Sequence, residues 1–310
     1  MMSVVQTHRI GSVGFDVRAA LKDGMARLRA ADVRSHTLAA ELLLMHTLGR
    51  DRVWLYTHSD DLLDPAAAEK YFALIARRAA GEPTQYITGK QEFWGLEFEV
   101  TPAVLIPRPE TEHVVEVALE RLGERGIKIN MKTGAPSPRL RIADVGTGSG
   151  CLAIALAHEL PHAEVFATDI SAETLAVARR NAARHGVSGR IHFVETDLLE
   201  GLGHSPSSFD LIVSNPPYIA RGEAASLQRE VRNHEPERAL FGGPTGIEIY
   251  ARLIEQAGAL LAPRGILVLE LGYGLASEVR KLFHVQNCWV NVTITNDLAG
   301  IPRVVAAEHV

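Results

Sequence analysis

The chain has 310 residues, 46% hydrophobic and 22% charged, with a net charge of -5; these totals suit two ordinary globular domains and argue against binding nucleic acid through bulk positive charge. Its two cysteines, Cys151 and Cys288, stand far apart and outside any metal-ligand spacing, so reduced thiols, no metal and a cytoplasmic location are expected. No signal-peptide core opens the chain and no run approaches the roughly eighteen apolar residues of a membrane span, so a soluble protein with no membrane partner is expected.

Helical periodicity runs from Asp16 to about Gly81. Ala20, Leu21, Met25 and Leu28 share one face of a first helix. Ser35 opens a second, in which Leu38, Leu42, Leu43, Met45 and Leu48 recur, and Gly49 ends it. A short piece with Val53, Trp54, Leu55 and Tyr56 leads to Asp64-Pro65, a cap followed by proline, and to a helix through Tyr71, Leu74 and Ile75 to Gly81. These elements predict a small all-helical domain over residues 1–82, with Arg77 and Arg78 on a solvated face.

The period changes over Gln91 to Val100, where Phe93, Trp94, Leu96, Phe98 and Val100 read as extended chain around a turn at Gly95. Residues 83–108 are expected to be a hairpin and linker, stiffened by the segment Leu105 to Glu112 (LIPRPETE). A helix with Val114, Val115, Val117, Ala118 and Leu122 opens a third region, residues 109–310, and Gly126 to Arg139 reads as a surface loop.

From Leu140 the order is strand, helix, strand. Leu140 to Val145, Glu164 to Thr168, Ile191 to Glu195 and Asp210 to Ser214 read as short apolar strands, with helices at Leu152 to Glu159 and Ala172 to His185. Ile247 to Leu261 reads as a helix, Gly265 to Leu271 as a fifth strand and Leu275 to Phe283 as a helix. Trp289 to Thr295 and Pro302 to Ala306 close the chain. Asn296 to Ile301 is too short for a right-handed crossover, so this last pair is predicted to be antiparallel. The fold class is therefore α/β: a mostly parallel, Rossmann-like sheet with an antiparallel C-terminal hairpin.

Two stretches carry chemistry. Asp144-Val145-Gly146-Thr147-Gly148-Ser149-Gly150 closes the first strand and opens a helix, where glycines let the backbone approach a ligand and the helix N-terminus offers free N-H groups. Asp169, ending the second strand, is placed to accept from both hydroxyls of a ribose. Gly148, Gly150 and Ala153 also satisfy the dinucleotide pattern, which keeps NAD open on these residues alone. Asp144, ahead of the first glycine, would repel a pyrophosphate and favour a ligand's ammonium group.

The second stretch is Asn215-Pro216-Pro217-Tyr218, after the apolar run Leu211, Ile212 and Val213. Two prolines remove two backbone donors, so the carbonyls of Asn215 and Pro216 stand free as acceptors beside the Asn215 side chain, and Tyr218 adds a flat ring. Such a site suits a planar NH2, whose lone pair two acceptors can orient toward an electrophile. That chemistry needs an alkyl donor, and S-adenosylmethionine offers an adenosine for Asp169, an amino-acid end for the glycine loop and a sulfonium methyl. Asp197, after the third strand, would sit beside the adenine.

Glycine loop, NPPY, LIPRPETE, Gln85-Tyr86-Ile87 before Gly89 and Phe93, Glu235-Pro236 through Gly242-Gly243, and Asp297 to Val304 together resemble the PrmC/HemK family from about Asp16 to Val305. The glycine loop and NPPY alone also occur in DNA adenine and ribosomal-RNA guanine methyltransferases; LIPRPETE joined to a helical domain is more specific. The resemblance implies a class I methyltransferase sheet and transfer of a methyl group to the glutamine of the Gly-Gly-Gln loop in class-1 peptide chain release factors. It implies a cofactor site at Gly146, Thr147, Gly148, Ser149, Gly150, Asp169 and Asn215, and a substrate and catalytic site at Asn215, Pro216, Pro217 and Tyr218. Leu198 stands where some members place an aromatic residue beside adenine, and Gly126 to Arg139 is longer than usual. The helical domain is expected to contact the partner protein, nucleic acid is not expected as substrate, and a monomer is expected. A methyltransferase of exocyclic amines in DNA or RNA is the alternative that would share this pocket, and a binding adaptor without catalysis is a third reading.

Other signals are discounted. His158-Glu159-Leu160-Pro161-His162 matches a zinc-protease pattern, but Pro161 ends the helix that both histidines would have to share. Cys151 reads as a small residue packing behind the loop. Arg108 and Glu110 could equally orient a ligand or fix the connector, and His234 and Glu235 read as structural.

Overall fold

The computed structural model describes residues 15–127, 139–202 and 209–310. They form two compact units that divide between Thr88 and Gly89. The predicted loop from Gly126 lies largely outside the described residues.

The first unit holds α1 (Val17–Ala30), α2 (His36–Leu48), α3 (Arg52–Thr57), α4 (Pro65–Ala79) and α5 (Thr84–Thr88). Its helix starts follow from side chains that satisfy free N-H groups. Asp16 accepts from Ala19 N at 2.6 Å, Asp51 from Trp54 N at 2.7 Å, and Asp64 from Ala66 N and Ala67 N ahead of Pro65. Gly49 ends α2 in the left-handed conformation that a glycine adopts without strain. Leu28, Leu43, Leu44, Tyr71 and Ile75 fill the core, and Gly24 leaves room for the Tyr71 hydroxyl, which an added Cβ would meet at 2.1 Å. Two expectations are corrected. Leu38 faces outward, because Ala39, Ala40, Leu43 and Leu44 form the buried face of α2. Arg78 is buried rather than solvated, since its guanidinium donates to the Glu82 carbonyl.

The second unit opens with the hairpin β1 (Lys90–Phe93) and β2 (Leu96–Glu99), which turns through Trp94 and Gly95, both at positive φ. Trp94 is held there by its backbone N-H on Glu112 and its indole on Glu159. After a 3-10 turn at Pro109–Thr111 come α6 (Glu112–Glu124), β3 (Arg141–Val145), α7 (Cys151–Glu159), β4 (Glu164–Asp169), α8 (Ala172–Arg184), β5 (Ile191–Glu195) and β6 (Phe209–Ser214). Short elements follow: β7 (Ile219–Ala220), α9 (Arg229–His234), α10 (Glu237–Leu240) and β8 (Phe241–Gly243). The chain ends with α11 (Glu248–Leu260), β9 (Leu261–Glu270), α12 (Ala276–Val285), β10 (Trp289–Asn296) and β11 (Pro302–His309). His162 lies beyond the end of α7, so His158 and His162 do not share a helix.

The seven-stranded sheet runs β10-β11-β9-β6-β3-β4-β5. Its five strands from β9 to β5 are parallel and β10 and β11 are antiparallel, as expected. Strands covered by helices on both faces are apolar at nearly every position. Ile142, Val165, Val213, Ile266 and Val268 serve the core of one face, and Ala143, Val145, Ile212, Leu267 and Leu269 that of the other. The fifth strand starts at Leu261, four residues before the expected Gly265, because its first part pairs with Phe209 across a register shift. Among the described residues, no helix is long and apolar enough to cross a membrane.

Strand order reverses between β3 and β6, and a crevice opens outside the carboxyl ends at such a switch point. Register sets what stands there: Val145 lies beside Thr168 and Ser214, and Ser214 beside Leu269. Each next residue along these strands therefore falls in one row, which brings together Gly146, Asp169, Asn215 and Glu270.

Candidate active site

A cavity of about 330 Å³ sits over this row, lined by Gly146, Gly148, Asp169, Asp197, Leu198, Asn215 and Pro217 among others. Thr147, Ser149, Gly150, Pro216 and Tyr218 adjoin these residues in sequence and are not part of its lining. Gly146, Gly148 and Gly150 all have positive φ, at 70°, 57° and 85°, a path that side-chain-bearing residues rarely follow. Thr147 and Ser149 are buried. The Thr147 hydroxyl donates to Asp144 Oδ2 at 2.6 Å, and the Ser149 carbonyl accepts from Asn181 Nδ2 at 2.9 Å.

Asp144, expected to favour a ligand's ammonium group, is not among the residues that line the cavity. It is fully buried, and its Oδ2 also accepts from Ala153 N at 3.0 Å, so it braces the loop onto the start of α7. Burial pushes its carboxyl up to about 7. Cys151, at the same helix start, is pushed by burial up to about 12, a thiol without nucleophilic character.

Asp169 is aimed by two backbone donors, Gly148 N on Oδ2 at 3.2 Å and Ser171 N on Oδ1 at 3.0 Å. Burial raises its carboxyl and these N-H groups oppose the rise. Asp197 pairs with Arg252 at 2.7 Å, a cation of α11 that the sequence reading missed. Leu105, Phe241 and Ile249 complete an apolar wall with Leu198. Phe241 was also missed: β8 places it by pairing with β7, immediately after NPPY. Arg108 donates its guanidinium to the buried Glu235 at 2.6 Å, an ion pair of the kind that fixes a connector, while Glu110 lies 4.0 Å from Arg303.

Behind NPPY is a polar cluster. Asn215 Nδ2 donates to Thr111 Oγ1 at 3.0 Å, Thr111 Oγ1 donates to Glu270 Oε2 at 2.5 Å, and the Tyr218 hydroxyl lies 3.4 Å from Glu270 Oε1. Thr111 and Glu270 are both buried. Burial pushes the Glu270 carboxyl up to about 7 and raises the Tyr218 phenol. The NPPY backbone is pressed into place by glycines: a Cβ at Gly242 would stand 2.4 Å from the Pro217 carbonyl oxygen, and one at Gly272 would stand 2.7 Å from the Tyr218 ring.

A parallel sheet with an antiparallel hairpin, a glycine loop after its first strand, an aspartate after the second and NPPY at the switch point define a class I methyltransferase. Residues 19–89 match the PrmC N-terminal domain and residues 128–234 the methyltransferase small domain. Release factor glutamine methyltransferases from Koribacter versatilis and Chlorobaculum tepidum are 44% and 47% identical, over 94% and 91% of this chain and 98% and 94% of theirs. The chain belongs to the release factor glutamine methyltransferase family. Among solved structures, the hMettl16 catalytic domain shares the fold with a TM-score of 0.55 at 19% identity, covering 75% of this chain and 79% of that one.

Proposed function

We propose that this protein transfers the methyl group of S-adenosylmethionine to the side-chain amide nitrogen of the glutamine in the Gly-Gly-Gln loop of class-1 release factors. What carries the reading is that Asn215 and Pro217 line the same cavity as Gly148 and Asp169, so an acceptor motif for a planar amide and a nucleoside-binding loop share one space. Its support is membership of a family whose curated members are named for this activity.

The residues present fit the cofactor. Asp169, held by two N-H donors, has the orientation a ribose diol requires, and the Leu198, Phe241 and Ile249 wall suits an adenine. Gly146 to Gly150, with Thr147 and Ser149 buried beneath, would carry the amino-acid end, and Asp197 would flank the base. When bound, S-adenosylmethionine supplies an electrophilic methyl carbon and a neutral thioether leaving group.

Asn215 Oδ1 and the Pro216 carbonyl would accept the two N-H hydrogens of the glutamine amide, which turns its lone pair toward the methyl carbon. The Tyr218 ring, backed by Gly272, would cover the amide plane. No strong base is needed, since the product cation sheds its proton to water. The helical unit would dock the release factor, in the cytoplasm, with the enzyme acting as a monomer.

The test offers the purified chain and methyl-labelled S-adenosylmethionine four substrates: an unmodified release factor, the same factor with the Gly-Gly-Gln glutamine replaced, duplex DNA and ribosomal RNA. Label on the intact factor alone is expected. Label on nucleic acid alone would overturn the substrate and leave the pocket chemistry standing.

A further inference from the structure

We infer that Thr111 and Glu270 are positioning residues that fix which end of the Asn215 side-chain amide meets the substrate, an inference that rests on the glutamine-methylation reading above. The two ends of an Asn amide have nearly the same shape and opposite hydrogen-bonding character, so its function depends on what holds it. An acceptor is useful to a glutamine NH2. A donor in the same place would oppose it and block the approach.

The orientation follows from counting protons. Thr111 Oγ1 carries one hydrogen and has two close partners, Glu270 Oε2 at 2.5 Å and Asn215 at 3.0 Å. When Glu270 is ionised it only accepts, so the hydroxyl hydrogen then points at Glu270. Lone pairs alone remain toward Asn215, which must then present its NH2 to Thr111 and its Oδ1 to the cavity. A hydroxyl whose hydrogen was free could donate to Oδ1 instead, and the amide could turn over.

Glu270 is an unusual residue for its place in the sheet. It ends an apolar run in a strand flanked by β6 and β11, and an apolar residue there would avoid the cost of burying a carboxyl group. Arg303, the cation whose charge reaches it, is paired with Asp297 at 2.8 Å, and Glu110 also faces it. The second carboxylate oxygen lies 3.4 Å from the Tyr218 hydroxyl. One buried carboxylate therefore connects to both side chains of NPPY that would touch the glutamine.

The test uses the full-length chain with Thr111→Val and Thr111→Ser, each also made in an Asn215→Ala background, with labelled methyl donor and an unmodified release factor. Valine keeps the shape and removes the hydroxyl. Thr111→Val is expected to lower kcat by roughly 10- to 100-fold, with KM for the factor changed less than about threefold, and Thr111→Ser to restore most of the turnover. In the Asn215→Ala background Thr111→Val should change kcat by less than about twofold, because the group it positions is gone. Unaltered kcat in Thr111→Val, or the same fold-loss in both backgrounds, overturns the inference. Asparagine-selective 15N labelling reads the amide directly: Thr111→Val should shift the Asn215 side-chain signals and speed their solvent exchange by about tenfold or more, and unchanged signals also overturn it. If the parent chain labels no release factor, the functional reading fails, while the amide signals still decide the inference.

Discussion

Gly242→Ala tests whether the position of the NPPY backbone sets the rate. Gly242 does not have positive φ, so alanine brings no backbone strain of its own. The added Cβ, however, would stand 2.4 Å from the Pro217 oxygen, 2.9 Å from the Gly246 oxygen and 3.1 Å from the Pro217 carbonyl carbon. To reach even 3.0 Å, the shortest separation real Cβ atoms tolerate, the Pro217 carbonyl must retreat by at least about 0.6 Å. Both neighbours are backbone, so no side chain can swing aside. A misplacement near 1 Å in a reacting constellation costs on the order of 10²-fold in rate, and overpacking costs roughly 1–3 kcal/mol of stability. The expected result is a folded variant with kcat down about 10²-fold, while S-adenosylhomocysteine, which the Asp169 end of the cavity would hold, binds within about threefold of the parent by calorimetry. Parent-like turnover in a folded Gly242→Ala protein would refute the reasoning, because the clash would then have been absorbed without moving the acceptors.

Asn215→Ala is expected to lower the methylation rate by at least ~10²-fold, the scale of one preorganised hydrogen bond to a transition state, with cofactor affinity less affected; single-turnover kinetics on the release factor check it. Phe241→Ala opens the apolar wall, and a loss near ~1.4 kcal/mol makes the expected weakening of S-adenosylhomocysteine binding about tenfold, which calorimetry measures against an unchanged KM for the factor. Since burial pushes the Glu270 carboxyl up to about 7 and a neutral carboxyl can itself donate to Thr111 and free the hydroxyl hydrogen for Asn215 Oδ1, kcat should rise with pH through about 7, and Glu270→Gln should remove that limb from the pH profile. Stability should move the opposite way. Burial pushes the carboxyls of Asp144 and Glu270 up to about 7 in the fold, above their unfolded values, so the native state holds protons that the unfolded chain has released. Denaturant midpoints should therefore fall as pH rises from about 5 to 8.

Much of the fold was legible because a parallel strand covered on both faces is apolar at almost every position, as Leu211, Ile212 and Val213 are. The glycine loop, Asp169 and Asn215 could be placed for the same reason: each follows the last residue of such a run. What escaped depends on partners distant in sequence. β7 and β8 are only two and three residues long and exist through their pairing with each other, so no local period announces them. Arg78 looked like a surface cation because charge alone does not show that a nearby carbonyl, here that of Glu82, takes its guanidinium inside.

Direction, more than position, separates the residues that stand where the sequence puts them from those that do not. Nearness to the first glycine puts Asp144 beside the cavity, yet strand alternation turns it away. Ile142 belongs to the core of one face, Ala143 and Val145 to the core of the other, so Asp144 turns toward the Ile142 side and meets the start of α7. The same parity applied to β6 and β9 identifies the Asn215 support. Val213 and Val268 serve that same face, and two residues further along the two strands stand Asn215 and Glu270, on one side of the sheet and in adjacent strands. Val114 and Val115 of α6 pack against that face, which is why Thr111, at the head of the helix, can reach between them. A carboxylate closing the run Ile266 to Leu269 was the available signal, since a buried strand retains a charge only at a cost in stability. LIPRPETE then acquires a physical role beyond that of a connector: its threonine holds the asparagine, its arginine closes on Glu235, and its leucine lines the cavity.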